Sequence, residues 1–241
     1  MNTPNLVEHL AQLEYVDLLN NPKVQNARAL RGNRLSSYLE PINQTPFTYL
    51  QKSVLTGTLL GDGTLRYSGG INAFLKVDQK AVNQVYVDFL YSVFEEMVGT
   101  PPRLRLVDGN PHSYWFRTFR SPKFEYFAQQ FYKIDALGNR RKVIPPNIHQ
   151  MLNPIALAIW FMDDGGKEES GYRLHTECFD LNEQRILQQA LGNVFNLEIN
   201  LRRDTRIDKV FYYLYIPAGS KARFNALVLP YILDCFRYKL I

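Results

Sequence analysis

Two short stretches of this 241-residue chain put carboxylates where helical electrostatics disfavours them. In "AIWFMDDGGK", the apolar run Ile155 to Met162 reads as a buried helix, Asp163 and Asp164 follow, and Gly165-Gly166 reads as the stop signal. Helix C-termini carry partial negative charge and repel acids. A bound cation would reverse the sign. The second stretch is "LTGTLLGDG", Leu55 to Gly63, which aligns with "LAIWFMDDG", Leu157 to Gly165, so that Asp62 and Asp164 coincide. A single "GDG" is more simply a turn; two copies, each after an apolar run, point to a shared site. Paired carboxylates with oxygen-only ligation suit Mg²⁺, which completes its shell with water and phosphate oxygens. Metals held that way serve in-line phosphodiester hydrolysis.

The segments that follow each acid also repeat. After Asp62 come two extended pieces in "TLRYSGGINAFLKV", broken at Ser68-Gly69-Gly70. A helix is expected over 79–97, with Val82, Val85, Tyr86, Phe89, Leu90 and Phe94 on its apolar face. A hairpin follows, "RLRLV" and "SYWFRTF" around the turn "DGNPH", and Ser121-Pro122 opens another helix. After Asp164, "YRLHTECF" is extended, and Asp180 with Glu183 forms a capping-box start to a helix over 181–195. "LEINLRR" and "VFYYLYIP" then form a hairpin around a charged turn from Asp204 to Lys209, and Ser220 opens the last helix. The expected fold is α+β: two tandem α-β-β-α-β-β-α repeats related by a pseudo-twofold axis, over 47–142 and 155–241, joined by a linker over 143–154. Gly57 and Gly61 on one motif helix, with Ala158 and Met162 on the other, would let the two helices approach closely.

These acid-tipped runs, with "WFMDDGGK" and "KVIPPN", resemble the paired motifs of the single-chain LAGLIDADG homing endonucleases, from about residue 50 onward. Thr58 and Leu60 in the first copy, and Ile159, Trp160 and Phe161 in the second, depart from the pattern but leave both acids in place. The resemblance implies a monomeric, site-specific DNA endonuclease that uses two or more Mg²⁺ ions to cut both strands. It makes Asp62 and Asp164 the metal-binding and catalytic acids, assisted by the backbone carbonyls of Gly61 and Asp163. It makes Lys142 and Lys239, which lie 80 and 75 residues after their acids, the basic residues of the two half-sites. Gln79 matches the residue that orders active-site water, and Glu177 in "HTECF" is its loose counterpart. The rival implied by the same resemblance is a maturase that binds its own intron RNA. An intron-borne origin implies an intracellular, organellar protein of a mitochondrion or chloroplast.

Charged residues on alternating hairpin positions suggest the face that meets DNA. Arg66, Arg103, Arg105 and Arg117 belong to the first repeat, and Arg202, Arg203, Arg206 and Lys209 to the second. Ribbons of two strands fit the major groove, where arginine reads guanine, and the hairpins would form one antiparallel saddle over a long asymmetric target. A net charge of +5 and a pI near 9.1 are compatible with a polyanionic partner. At 46% hydrophobic and 21% charged, the composition is that of a globular chain, not a disordered one. No stretch is long enough to span a membrane, and residues 1–20 resemble neither a secretory signal nor a transit peptide.

Other chemistries fall away on spacing. Cys178 and Cys235 lack metal-ligand spacing, and His9, His112, His149 and His175 are scattered. "GGKE" lacks the first glycine and the Ser/Thr of a phosphate loop. A calcium loop starting at either Asp163 or Asp164 would need a glutamate where Leu174 or His175 stands. Residues 1–46 lie outside the resemblance. They read as an amphipathic helix and a basic "RALRGNRL", which either packs on the body or grips phosphates through Arg28, Arg31 and Arg34.

Overall fold

A computed structural model describes residues 32–67, 72–206 and 209–240. Arg28 and Arg31, the break at Ser68 to Gly70, and Ile241 fall outside these residues.

Helix α1 (Gly32–Gln44) precedes the repeat and docks on it: Tyr38 donates to the carbonyl of Glu96 at 2.9 Å, and Asn43 accepts from Ser121 at 2.6 Å. The first repeat runs α2 (Tyr49–Leu60), β1 (Thr64–Arg66), β2 (Phe74–Lys80), α3 (Gln84–Val93), β3 (Arg103–Val107), β4 (Asn110–Arg117) and α4 (Glu125–Phe131). The second runs α6 (Pro154–Asp164), β7 (Gly165–Glu168), β8 (Gly171–Leu174), α7 (Leu181–Phe195), β9 (Asn200–Arg206), β10 (Lys209–Ile216) and α8 (Ala218–Val228). The first repeat closes on a small hairpin, β5 (Tyr132–Ile134) with β6 (Arg140–Lys142), and the single turn α5 (Ile148–Met151) lies between the repeats. The two four-stranded antiparallel sheets have the same order, β1-β2-β4-β3 and β7-β8-β10-β9. The duplication is therefore real at the level of topology.

By compactness the chain divides into two units, Met1–Val54 with Asp62–Ala128, and Leu55–Gly61 with Gln129–Ile241. In the first unit, Phe47, Tyr91, Phe94, Phe116 and Phe124 form the aromatic core, with Phe47 and Phe124 centroids 5.4 Å apart. In the second, Phe161, Tyr172 and Phe224 meet at 4.9–5.3 Å. Each cluster joins helices to the inner face of its own sheet.

Local chemistry accounts for the helix starts. Thr48 and Gln51 exchange hydrogen bonds at 3.1 and 3.0 Å, a capping box that opens α2. Asn153 accepts from the amide of Ala156 at 3.0 Å, with Pro154 in the first turn of α6. The expected capping box of Asp180 and Glu183 opens α7 as written.

Several expectations shift. Gln79 lies in strand β2, not at a helix start; α3 begins at Gln84, and Val82 and Val85 are exposed while Tyr86, Phe89, Leu90 and Phe94 are buried. The "DGNPH" turn shrinks to Asp108-Gly109, both at positive φ (50° and 78°), as a two-residue primed turn requires. Asp204 and Thr205 pair within the β9–β10 ladder instead of forming its turn. Helix α8 starts after Pro217, and Ser220 inside it accepts from the amide of Glu198 at 2.7 Å. Gly165 does not close α6 in a left-handed cap; its φ is −98° and it begins β7. It must be glycine because a Cβ there would strike the ring of Phe161.

Candidate active site

The second half of α2 packs against α6 inside the second compact unit. A Cβ at Gly57 would collide with the carbonyl of Ala156 and with Ile159, and one at Gly61 with Asp163. The helices therefore touch through glycine as expected, but the opposing residues are Ala156, Ile159 and Asp163, not Ala158 and Met162. Met162 turns away from that contact: its sulfur accepts from the amide of Leu233 at 3.4 Å. Asp163 lies flat against Gly61, which fits a structural side chain.

Each helix end carries a lysine. Lys142 donates to the carbonyl of Gly61 at 2.7 Å, and Lys239 to that of Met162 at 2.6 Å, with those of Phe161 and Asp163 at 3.4 and 3.5 Å. An ammonium group on the last carbonyls compensates both the macrodipole and the acid that follows. Gly61 and Asp163 thus both offer carbonyls at the helix tips, each shared with a lysine. A carbonyl has two lone pairs and can accept a second partner. The thiol of Cys178 lies in the same neighbourhood: burial raises its pKa, Lys142 opposes the shift and Asp164 adds to it.

Asp62, exposed, is the residue after Gly61, and Asp164, half-buried, ends α6. Gln79 donates to Asp62 at 2.9 Å, and Asn83 in turn donates to Gln79 at 3.3 Å, so the nearly buried Gln79 presents its amide nitrogen to the acid. Its loose counterpart Glu177 is bound differently. Arg173 donates to it at 2.6 Å and His175 lies 3.1 Å away. Although burial alone would raise the Glu177 pKa, the hydrogen bonds from His175 and Arg173 bring it down to about 2. The two copies therefore differ in chemistry at this position. Among the described residues no cluster of three or more His, Cys, Asp or Glu could hold a metal ion.

The sheets carry basic residues over aromatic rings. On the first, Asp78 pairs with Lys76 at 2.7 Å and Arg105 at 3.2 Å, and both cations lie over Trp115. Those partners hold the Asp78 carboxyl below its ordinary range, against the opposing effect of burial. Arg117 lies over Phe74, and Arg66 and Arg103 are exposed on the edge strands β1 and β3. Leu104 and Leu106 alternate with Arg103 and Arg105 but are exposed, since among the described residues both faces of β3 are open. On the second sheet, Arg202 pairs with Glu169 at 3.1 Å and stacks 3.4 Å over Tyr215; the hydrogen bond to Glu169 raises its pKa. Arg203 is exposed one position on, and Arg206 faces Lys209 where the hairpin closes. Arg173, half-buried on the central strand β8, gathers Glu168, Glu177 and Asp204 over Tyr213.

Arg202 is the best placed of these to test. Arg202→Ala is expected to weaken DNA binding. A phosphate contact would show as a salt slope shallower by about one; a base contact as a loss of about 1–3 kcal/mol concentrated at one target position. Filter binding across a salt series and a set of substituted targets separates the two. Unchanged affinity and slope would place this strand off the DNA.

The LAGLIDADG DNA endonuclease family profile matches residues 52–224, and the chain belongs to that family. It is of the single-chain type with two motifs. It is 29% identical over 206 residues to the DNA endonuclease I-ChuI of Chlamydomonas applanata, an alignment covering 80% of this chain and 94% of that protein. It is 26% identical over an alignment of 243 positions to the cytochrome b mRNA maturase bI2 of Saccharomyces cerevisiae, which spans 97% of this chain but only 56% of the maturase. The solved structure of the homing endonuclease I-WcaI bound to its DNA recognition sequence superposes with a TM-score of 0.77 at 29% identity, covering 90% of this chain and 97% of that one.

Proposed function

We propose that this chain is a monomeric, divalent-metal-dependent endonuclease that hydrolyses one phosphodiester bond in each strand of a long, asymmetric DNA target. The observation that carries this reading is the duplicated helix tip. Each motif helix ends in an acid, and each has a lysine ammonium on its last carbonyls. One chain supplies both copies, so no second subunit is needed. In this reading residues 47–142 and 155–241 are the two repeats, 143–154 links them, and 1–46 is an extension.

The donor set suits a hard cation. Asp62 and Asp164, with the carbonyls of Gly61 and Asp163, offer only oxygen, at helix ends whose dipoles favour positive charge. Glycine at position 61 lets the Asp163 side chain lie against it, because a Cβ there would strike that side chain. Mg²⁺, two ions or more, is the proposed occupant; when bound, it would acidify water and stabilise charge on the phosphate. The chain's own residues do the rest. Gln79 orients Asp62. Lys142 and Lys239 stabilise the extra negative charge that develops as each phosphate is attacked, one lysine per strand. Arg66, Arg103, Arg105 and Arg117 on one sheet, and Arg202, Arg203, Arg206 and Lys209 on the other, hold the duplex. An organellar location is the proposed one, in keeping with a cytochrome b maturase among the relatives.

That relative also supports a second reading, in which the chain binds its own intron RNA and promotes splicing. The two are separable by experiment. Purified protein with Mg²⁺ is expected to cut a DNA library at one recurrent site, and chelation should stop cutting while leaving binding intact. Failure to cut any duplex, alongside tight binding to the intron transcript, would favour the maturase.

A further inference from the structure

Lys142 ends a very short strand. Strands β5 and β6 are three residues each and, among the described residues, form a two-stranded sheet of their own, a ladder too short to fix a side chain by itself. Yet its last side chain reaches the Gly61 carbonyl at 2.7 Å. The residue before it supplies an anchor. The Arg141 guanidinium forks onto Glu183, Nη1 to Oε2 at 2.8 Å and Nη2 to Oε1 at 3.1 Å, with Asp180 at 3.6 Å. Glu183 is itself fixed: it is 8% exposed and its Oε2 accepts the amide of Asp180 in the capping box of α7. Hydrogen bonds of this forked, charge-assisted kind are the strong ones. Successive side chains on a strand point to opposite faces, so Arg141 can grip α7 while Lys142 reaches the other way.

The second copy is built otherwise. Lys239 lies on the short 3₁₀ segment Asp234–Lys239, and among the described residues the nearby Arg237 pairs locally, with Asp234 at 2.7 Å. All these groups belong to the second compact unit.

We propose that Arg141 is a positioning residue for one half-site: its fork to Glu183 sets Lys142 at the tip of α2 and thereby sets the cleavage rate of one strand only. This rests on the endonuclease reading above. The test uses Arg141→Gln, Glu183→Gln and Lys142→Met in the full chain, with nicking of each strand followed separately in single turnover. Glu183→Gln is informative because glutamine still serves a capping box, so the helix start survives while the charged fork is lost.

Both glutamine variants are expected to slow the strand that Lys142→Met slows, by roughly ten- to a hundredfold, the scale on which a misplaced group costs rate. The other strand should keep its rate. The double variant should be no slower than either single one, because both remove the same contact. Arg141→Lys should recover only part of the rate, since an ammonium keeps the charge and loses the fork. If Lys142→Met slows one strand while Arg141→Gln cuts both at the wild-type rate, the positioning role is overturned and the endonuclease reading stands. Equal slowing of both strands with a lower melting temperature would make Arg141 merely structural. Full cutting of both strands by Lys142→Met would overturn the lysine's assignment and this inference with it.

Discussion

Lys239→Met is expected to slow cleavage of one strand by about a hundredfold or more, the cost of losing a preorganised electrostatic contact. A lysine two residues from the end of this sequence would ordinarily read as solvated tail, because chain ends fray. Its surroundings argue otherwise. The 3₁₀ segment that carries it buries Phe236, and the ammonium spans three carbonyls at the end of α6, the nearest at 2.6 Å. Methionine matches the stem and removes only the charge, so binding and melting temperature should barely move. Deleting residues 239–241 should be at least as damaging. Lys142→Met should slow the opposite strand, because its ammonium sits on the other helix tip. Strand-resolved single-turnover assays at saturating enzyme read all three. Wild-type rates on both strands with Lys239→Met would show that this lysine only neutralises a helix end.

Asp62→Asn and Asp164→Asn should each abolish double-strand cleavage. An amide keeps the shape and loses the charge that a hard cation requires. Target affinity should stay within roughly tenfold, about 1.4 kcal/mol, because the arginines proposed to grip DNA lie on the sheets. The melting temperature should barely move, since each substitution removes a charge the dipole disfavours but also one that a nearby lysine ammonium and, at Asp62, the Gln79 amide favour. Loss of activity without loss of stability would separate a functional acid from a structural one.

The site was legible in the sequence mainly because it is written twice. "GDG" alone is a turn, but Asp62 and Asp164 aligned after apolar runs defined both helix tips and, through equivalent positions, both lysines. Helix starts were legible where a capping pair announces them, as at Asp180 and Glu183. The Thr48–Gln51 pair carried the same signal. The small hairpin that presents Lys142 leaves little trace in the sequence, because three-residue strands show no alternation; the turn it encloses, with Gly138 at a φ of 82°, is the cue it offers. Val82 and Val85 fall in helical phase with Tyr86 and Phe89, so the periodicity alone places Gln79 at a helix start. Those valines are exposed, and the strand runs on to Lys80. Ion pairing on the sheet was beyond reach from sequence. Arg173 has Glu177 four residues on, but nothing in the spacing shows that Asp204 also holds it or that Glu169 holds Arg202, since those contacts join segments more than 30 residues apart.

The most direct test of the two-tip account is cleavage of one supercoiled plasmid carrying the target by Asp164→Asn protein in Mg²⁺, beside a gel shift on the same site. The account predicts a retained shift and no linear product. A variant that binds and linearises the plasmid at the wild-type rate would contradict it.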